Sequence, residues 1–145
     1  FRRVLFRSVS QNLKLQLVTP DRSIFDGEVE QFTAPGAIGP FTVLKNHAPI
    51  VSALVPGVFS FTEQGREGRY FISGGFIEFH ENQATVLASA SEPVEQIDRA
   101  RAERAKARAE QRLQRSSDAT IDHERARQAL ERAQGRLAAI SPIGG

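Results

Sequence analysis

The sequence predicts an α+β fold: an N-terminal antiparallel β-sandwich of about eight to ten strands, followed by a C-terminal antiparallel two-helix hairpin. Three observations predict it. Hydrophobic residues alternate with polar ones from Leu13 onward, turn signals recur at short intervals as far as Asn82, and the composition changes abruptly after Ala90.

Leu13, Leu15 and Leu17 alternate with Lys14 and Gln16, the period of a strand with one face buried. Thr19-Pro20-Asp21 then reads as a turn. Short β-branched or aromatic runs follow between turn signals at Asp26-Gly27, Pro35-Gly36, Pro56-Gly57, Gln64-Gly65, Gly74-Gly75 and Glu81-Asn82. The phenylalanines and the only tyrosine all lie before residue 80, so the large core-filling side chains belong to this half. Strands are expected across residues 12–90.

Beyond Ala90 the chain turns to Ala, Arg, Glu and Gln, without glycine until Gly135 and without Phe, Tyr or Trp, which favours helix. Pro93 suits a helical first turn. Ser116-Ser117-Asp118-Ala119-Thr120 interrupts the helical run with cap-forming residues, and Asp122 and Glu124 complement the dipole of the next helix. Two helices of about 20 residues are expected. Ala102, Ala105, Ala109 and Leu113 form one stripe, and Ala126, Ala129, Leu130, Ala133, Leu137 and Ile140 a matching one. An alanine seam permits close approach but removes little apolar area from water, so docking of the hairpin on the sandwich is expected to be reversible.

Residues 1–8, Phe1-Arg2-Arg3-Val4-Leu5-Phe6-Arg7-Ser8, carry three arginines and no acid. They are too short for a secretory signal and read as a cloning or assembly scar. The expected division is therefore 1–8 scar, 9–91 sandwich and 92–145 hairpin. The formal charge of +2 divides into +3 for 1–8, −4 for 9–92 and +3 for 93–145, so the alkaline isoelectric point is weak evidence for nucleic-acid binding. The chain has no cysteine, which excludes a disulfide framework and thiol catalysis, and no stretch long and apolar enough for a direct membrane span.

No catalytic constellation is visible: there is no Gly-x-Ser-x-Gly elbow and no nucleophile with an evident base. His47 has no metal-ligating companions at a zinc-like spacing, since His80 and His123 lie far off in sequence. The glycines at Gly36 and Gly39 are followed by strand residues, not by the helix a phosphate loop requires, and read as a β-turn. Two arginine stripes stand out, Arg101, Arg104, Arg108, Arg112 and Arg115 on the first helix and Arg125, Arg132 and Arg136 on the second. They can flank one groove, or they can be solvated faces balanced by Glu103, Glu110 and Glu131 at about 0.2–0.5 kcal/mol per pair.

The run from Pro35 to Leu44, then His47-Ala48-Pro49, Pro56-Gly57-Val58, Ser73 to Glu78, Thr85-Val86-Leu87-Ala88, and Ile97-Asp98 with Arg101-Ala102, resembles in order and spacing the epsilon subunits of bacterial F-type ATP synthases, over about residues 12–140. The resemblance implies a non-catalytic rotor-stalk subunit that binds the gamma subunit and the c-ring through its sandwich and couples proton- or sodium-driven rotation to ATP synthesis. It implies a rotor contact at Pro35, Gly36, Ile38, Gly39, Phe41, His47, Ala48 and Pro49. The tip is uncharged at Ile38 and Pro40, where many relatives carry an acid, and Lys45-Asn46 replaces the family's usual Pro-Gly before the histidine.

The resemblance further implies that the hairpin is a brake: folded down it permits turnover, and extended into the catalytic alpha and beta subunits it opposes ATP hydrolysis. Some such subunits bind a regulatory ATP through an Ile-Asp-x-x-Arg-Ala motif and helix arginines. Ile97, Asp98, Arg101 and Ala102 fit that motif, Glu92 the acid before it, Arg108 the later first-helix arginine, and Arg132 and Arg136 the second-helix pair. Guanidinium groups suit triphosphate oxygens, while Asp98 or Glu92 can accept from an adenine amino group. No other cofactor and no metal are implied. The location implied is peripheral, on the cytoplasmic side of the bacterial inner membrane. The rival reading, a nucleic-acid-binding adaptor using the arginine-rich hairpin, lacks the stacking aromatics that single-strand binders use.

Overall fold

The computed structural model describes residues 11–115 and 117–141. The scar assigned to residues 1–8, Ser116 and the last four residues lie outside the described residues. Eight strands form one hydrogen-bonded sheet: β1 (Leu13–Val18), β2 (Ser23–Val29), β3 (Gln31–Gly36), β4 (Gly39–Leu44), β5 (Ile50–Glu63), β6 (Arg66–His80), β7 (Gln83–Ala88) and β8 (Ser91–Pro93). Their order is β2-β1-β7-β6-β5-β3-β4, with β8 paired to β6. All neighbours are antiparallel except β1 and β7, which run parallel, because the five-strand excursion from β2 to β6 supplies the long crossover that a parallel pair requires.

The sheet becomes a sandwich by folding over along β5 and β6. Ile50–Leu54 pairs with the Gly75–Phe79 stretch beside β7, whereas Pro56–Glu63 pairs with Arg66–Ser73 beside β3 and β8. At the corner, Pro56 lies opposite Ser73 and Leu54 opposite Gly75. Gly74 and Gly75 have φ of 101° and 148°, and a Cβ on Gly75 would stand 2.0 Å from the Leu87 carbonyl oxygen. Only glycine lets the two strands turn the corner this closely.

Folding over brings the inward faces together. Leu13, Leu15 and Leu17 are buried while Lys14 and Gln16 are exposed, as the alternation predicts. They share one core with Val29, Phe32, Val43, Phe59, Phe61, Ile77, Phe79 and Val86. Phe32 stacks on Phe59 at 5.4 Å between centroids and meets Phe79 edge-on at 6.3 Å. Burying each such ring contributes about 1.5–3 kcal/mol relative to exposure.

Pro93 does not enter the first helical turn. It closes β8 opposite Tyr70, Val94–Gln96 forms a 3-10 turn, and Ile97 stays extended. Helix α1 (Arg99–Gln114) begins only after Asp98, whose side chain caps it. Helix α2 (His123–Ile140) begins after Asp122, whose carboxylate accepts from the Arg125 amide at 3.0 Å. The end of α1 at Arg112 meets the start of α2 at Asp122 and Ala126, while Arg136 returns to its beginning, so the pair is antiparallel. Ala102, Ala109, Ala126 and Ala133 are buried in the seam, as the stripes predict. Ala139 is buried as well, outside the predicted stripe, because it packs with Phe71 and Val94 on the sandwich side. No helix among the described residues is long and apolar enough to cross a membrane.

Candidate functional site

Helical spacing places Asp98, Arg101, Ala102, Ala105 and Arg108 along one side of α1. With Glu92, Gln96 and Arg136 they line a groove of about 350 Å³ between α1, α2 and the strand that leads into the hairpin. Six of the eight positions singled out for nucleotide are thereby brought together: Glu92, Asp98, Arg101, Ala102, Arg108 and Arg136. Arg132 lines an adjoining groove of about 230 Å³ that shares Arg108 and Arg136 with the first. Ile97 packs into the apolar cluster of Phe71, Val94 and Ala139.

Three guanidinium groups face two carboxylates around the main groove, an excess of positive charge suited to a polyanion. One carboxylate and one guanidinium already neutralise each other: Arg136 donates from Nε to Glu92 Oε1 at 2.6 Å. The Arg136 guanidinium also lies over the Phe71 ring, 5.0 Å from its centroid. Asp98 Oδ1 accepts from the Arg101 amide at 3.1 Å and so closes the first turn of α1. Sequence reasoning missed Gln96 and Phe71. Gln96 stands beside the motif, where its neighbours were a signal, whereas nothing local marks Phe71, whose role depends on α2 lying across β6.

The residues assigned to the rotor contact separate into two places. Gly36 pairs with Gly39 to close the β3–β4 hairpin, leaving Ile38 fully exposed at its tip with Pro35 and Phe41 half-buried behind it. His47, Ala48 and Pro49 lie at the other end of β4, in the loop before β5. His47 Nδ1 is 2.8 Å from the Ala48 carbonyl, and its ring meets Phe79 edge-on at 6.2 Å. That loop is tied to the β6–β7 turn, since Asn82 Oδ1 accepts from the Asn46 amide at 2.6 Å and Asn82 Nδ2 donates to Asn46 Oδ1 at 3.1 Å.

An apolar surface was not anticipated. Phe76 pairs across the sheet with Ala53 on one side and Leu87 on the other, and Val51 and Val55 share the Ala53 face of β5 by alternation. Val51 is 80%, Phe76 62% and Leu87 54% exposed. Such a run of large side chains on an outer sheet face marks an interaction surface. Among the described residues no group of three or more His, Cys, Asp or Glu is placed to hold a metal ion.

Comparison with known proteins places these features. Residues 12–94 match the ATP synthase delta/epsilon chain beta-sandwich domain and residues 95–141 the long alpha-helix domain of the same chains. The chain is 43% identical over 129 residues to the ATP synthase epsilon chain of Nitratidesulfovibrio vulgaris, covering 89% of this chain and 96% of that one. It is 44% identical over 126 residues to the epsilon chain of Syntrophomonas wolfei, covering 86% and 91%. A chain of the Euglena gracilis mitochondrial ATP synthase, solved with OSCP, F1 and c-ring, superposes with a TM-score of 0.82 at 25% identity over 92% of this chain and 84% of that one. The chain therefore belongs to the ATP synthase delta/epsilon chain family, as a non-catalytic subunit of the rotor's central stalk.

Proposed function

We propose that the sandwich fastens this subunit to the gamma subunit and the c-ring, and that the hairpin regulates the enzyme from there. The observation that carries the docking half is the uncovered Val51, Phe76 and Leu87 face, which a rotor partner removes from water. The apolar tip at Ile38 extends from the same end of β3 and suits the ring contact, with Pro35, Gly36, Gly39 and Phe41 shaping it. His47, Ala48 and Pro49, at the other end of β4, belong to a second contact or to packing of their own loop. Docked this way, the subunit is peripheral on the cytoplasmic side of the bacterial inner membrane and transmits ring rotation toward the catalytic subunits. Co-purification tests the reading. Phe76→Asp with Leu87→Asp changes only exposed side chains and should abolish recovery of gamma, whereas undiminished recovery overturns this face as the gamma site.

The extended hairpin opposes ATP hydrolysis by meeting acidic surfaces of the alpha and beta subunits, for which its surplus of arginine is suited. The convergence of Arg101, Arg108 and Arg136 on one groove, with Arg132 adjoining, favours a regulatory ATP that stabilises the folded-down form. At a ligand concentration of about 100 times the dissociation constant, binding to that form alone shifts the equilibrium by about 2.7 kcal/mol. Calorimetry at physiological salt should detect binding that weakens on combining Arg101→Ala with Arg132→Ala. Absence of binding at millimolar ATP removes the nucleotide role and leaves the rotor role standing. No observation favours the nucleic-acid adaptor.

A further inference from the structure

Helix α2 is the part of the hairpin that packs on β5, β6 and the 3-10 turn, while α1 packs on α2. The contacts that tie α2 down gather in its last two turns. Arg136 donates to Glu92 at 2.6 Å, and both side chains are about one-third exposed, so the pair is less screened than a surface ion pair. The same guanidinium covers the buried ring of Phe71 at 5.0 Å. Gly135 lets the helix backbone lie on that ring, since a Cβ there would stand 2.8 Å from Phe71 Cε1. Arg69 of β6 and Arg99 of α1 reach the carbonyls of Ala139 and Ile140 at 3.4 Å, at the negative end of the helix dipole. Between its two helices the hairpin buries only small side chains, Ala102, Ala109, Ala126 and Ala133 among them.

We propose that Glu92, Phe71 and Arg136 form a latch that holds the hairpin on the sandwich with no nucleotide bound. The planar guanidinium satisfies a carboxylate and covers a ring at once, so the two contacts form and break together. Both sandwich partners lie on the β6–β8 strand pair and Arg136 lies on α2, so breaking them frees α2, and α1 follows because its main packing is on its partner helix. This extends the regulatory reading and rests on the hairpin being able to leave the sandwich, but not on ATP.

The chain has no cysteine, so spin labels at Gln83→Cys on β7 and Gln134→Cys on α2, both exposed, are unique reporters of the separation between the two units. In the full chain without nucleotide, one short separation should dominate. Glu92→Gln and Arg136→Gln should each raise the ratio of long to short separations roughly fivefold to thirtyfold, less than loss of a fully buried charge-assisted hydrogen bond would give because both side chains are partly exposed. The double variant should shift no further than Arg136→Gln alone, because the two residues act as one contact. Arg127→Gln, which breaks the exposed pair with Glu124, should leave the distribution unchanged. A distribution unaltered by Glu92→Gln, or single shifts that simply add in the double variant, overturns the latch. Recovery of gamma by the same variants should stay at the level of the unmodified chain, so failure of the latch is distinguishable from failure of the rotor reading.

Discussion

Asp98 belongs both to a motif and to a helix cap. In the sequence it is the second residue of an Ile-Asp-x-x-Arg-Ala motif and a candidate acceptor for an adenine amino group; in the structure its carboxylate already accepts from the Arg101 amide. The cap fixes where α1 begins and therefore which way Arg101 and Arg108 face, so Asp98 acts on the groove through the helix start. Asp98→Ala should destabilise the docked hairpin by about 1 kcal/mol, and Asp98→Asn by only a few tenths, because an amide oxygen caps nearly as well. Hydrogen exchange of the Arg101 amide is the measurement, and equal protection loss in both variants contradicts the capping role. Such positions were legible because motif and cap signals are local. Phe71 and Gln96 were not, since what they touch depends on how α2 crosses β6.

Among the elements, the short strands were legible from alternation and turn residues, while the corner that converts one sheet into two layers was not. Gly74-Gly75 looked like a turn between strands, yet β6 runs through it without interruption from Arg66 to His80. The physical reason is that glycine serves both a hairpin turn and a folded-over strand, and only pairing partners far along the chain distinguish them. Gly75→Ala places a methyl 2.0 Å from the Leu87 carbonyl at a φ of 148°, and should destabilise the sandwich by about 3 kcal/mol or more in chemical denaturation. A loss below about 1 kcal/mol would mean that the corner relaxes freely. The start of α1 was placed too early for a related reason, since Pro93 suits strand ends as well as helix starts. At the far end of the hairpin, Thr120 donates its hydroxyl at 2.6 Å and its amide at 2.9 Å to Asp118, holding that carboxyl below its ordinary value of 3.8. A depressed carboxyl favours the folded turn above the unfolded value, and that preference is lost as pH falls through the lower folded value. The Thr120 amide resonance should therefore stay constant near neutral pH and move only in acid, with its midpoint below 3.8.

For the molecule as a whole, the composition break after Ala90 separates a half with large buried side chains from one that buries mostly alanine. The largest fully buried side chains, Phe32, Phe59, Phe79 and the three leucines of β1 among them, lie in the sandwich. The hairpin buries alanines in its own seam and reaches the sheet through Phe71, Val94, Ala139 and the residues packed on them. At about 25 cal/mol per Å², so small an apolar contact stabilises the hairpin far less than the sandwich core stabilises the sheet. Helices of 16 and 18 residues stand just above the length, about 12–15 residues, below which an isolated helix is marginal in water, so they depend on tertiary packing. A fragment ending at Pro93, which keeps β8 on β6, should melt cooperatively by circular dichroism, while a 92–145 peptide should be largely unfolded. The functional consequence follows from the same division. If the sandwich alone holds the rotor, truncation after Pro93 leaves recovery of gamma and proton-coupled synthesis substantially intact and raises ATP hydrolysis, because the element that opposes it is gone. Loss of gamma on this truncation would move the rotor contact to the hairpin, and unchanged hydrolysis with gamma retained would remove the brake. On the proposed braking role, the docked state in which α2 lies on β5 and β6 withholds the hairpin from the catalytic subunits, so Glu92→Gln in the full-length subunit should act in the opposite sense to truncation and deepen inhibition at low ATP. Steady-state hydrolysis by assembled enzyme carrying each form separates the two: the truncated subunit above the unmodified one, the unlatched subunit below it. An unlatched subunit that hydrolyses as fast as the truncated one would show that release from the sandwich is not what sets the brake.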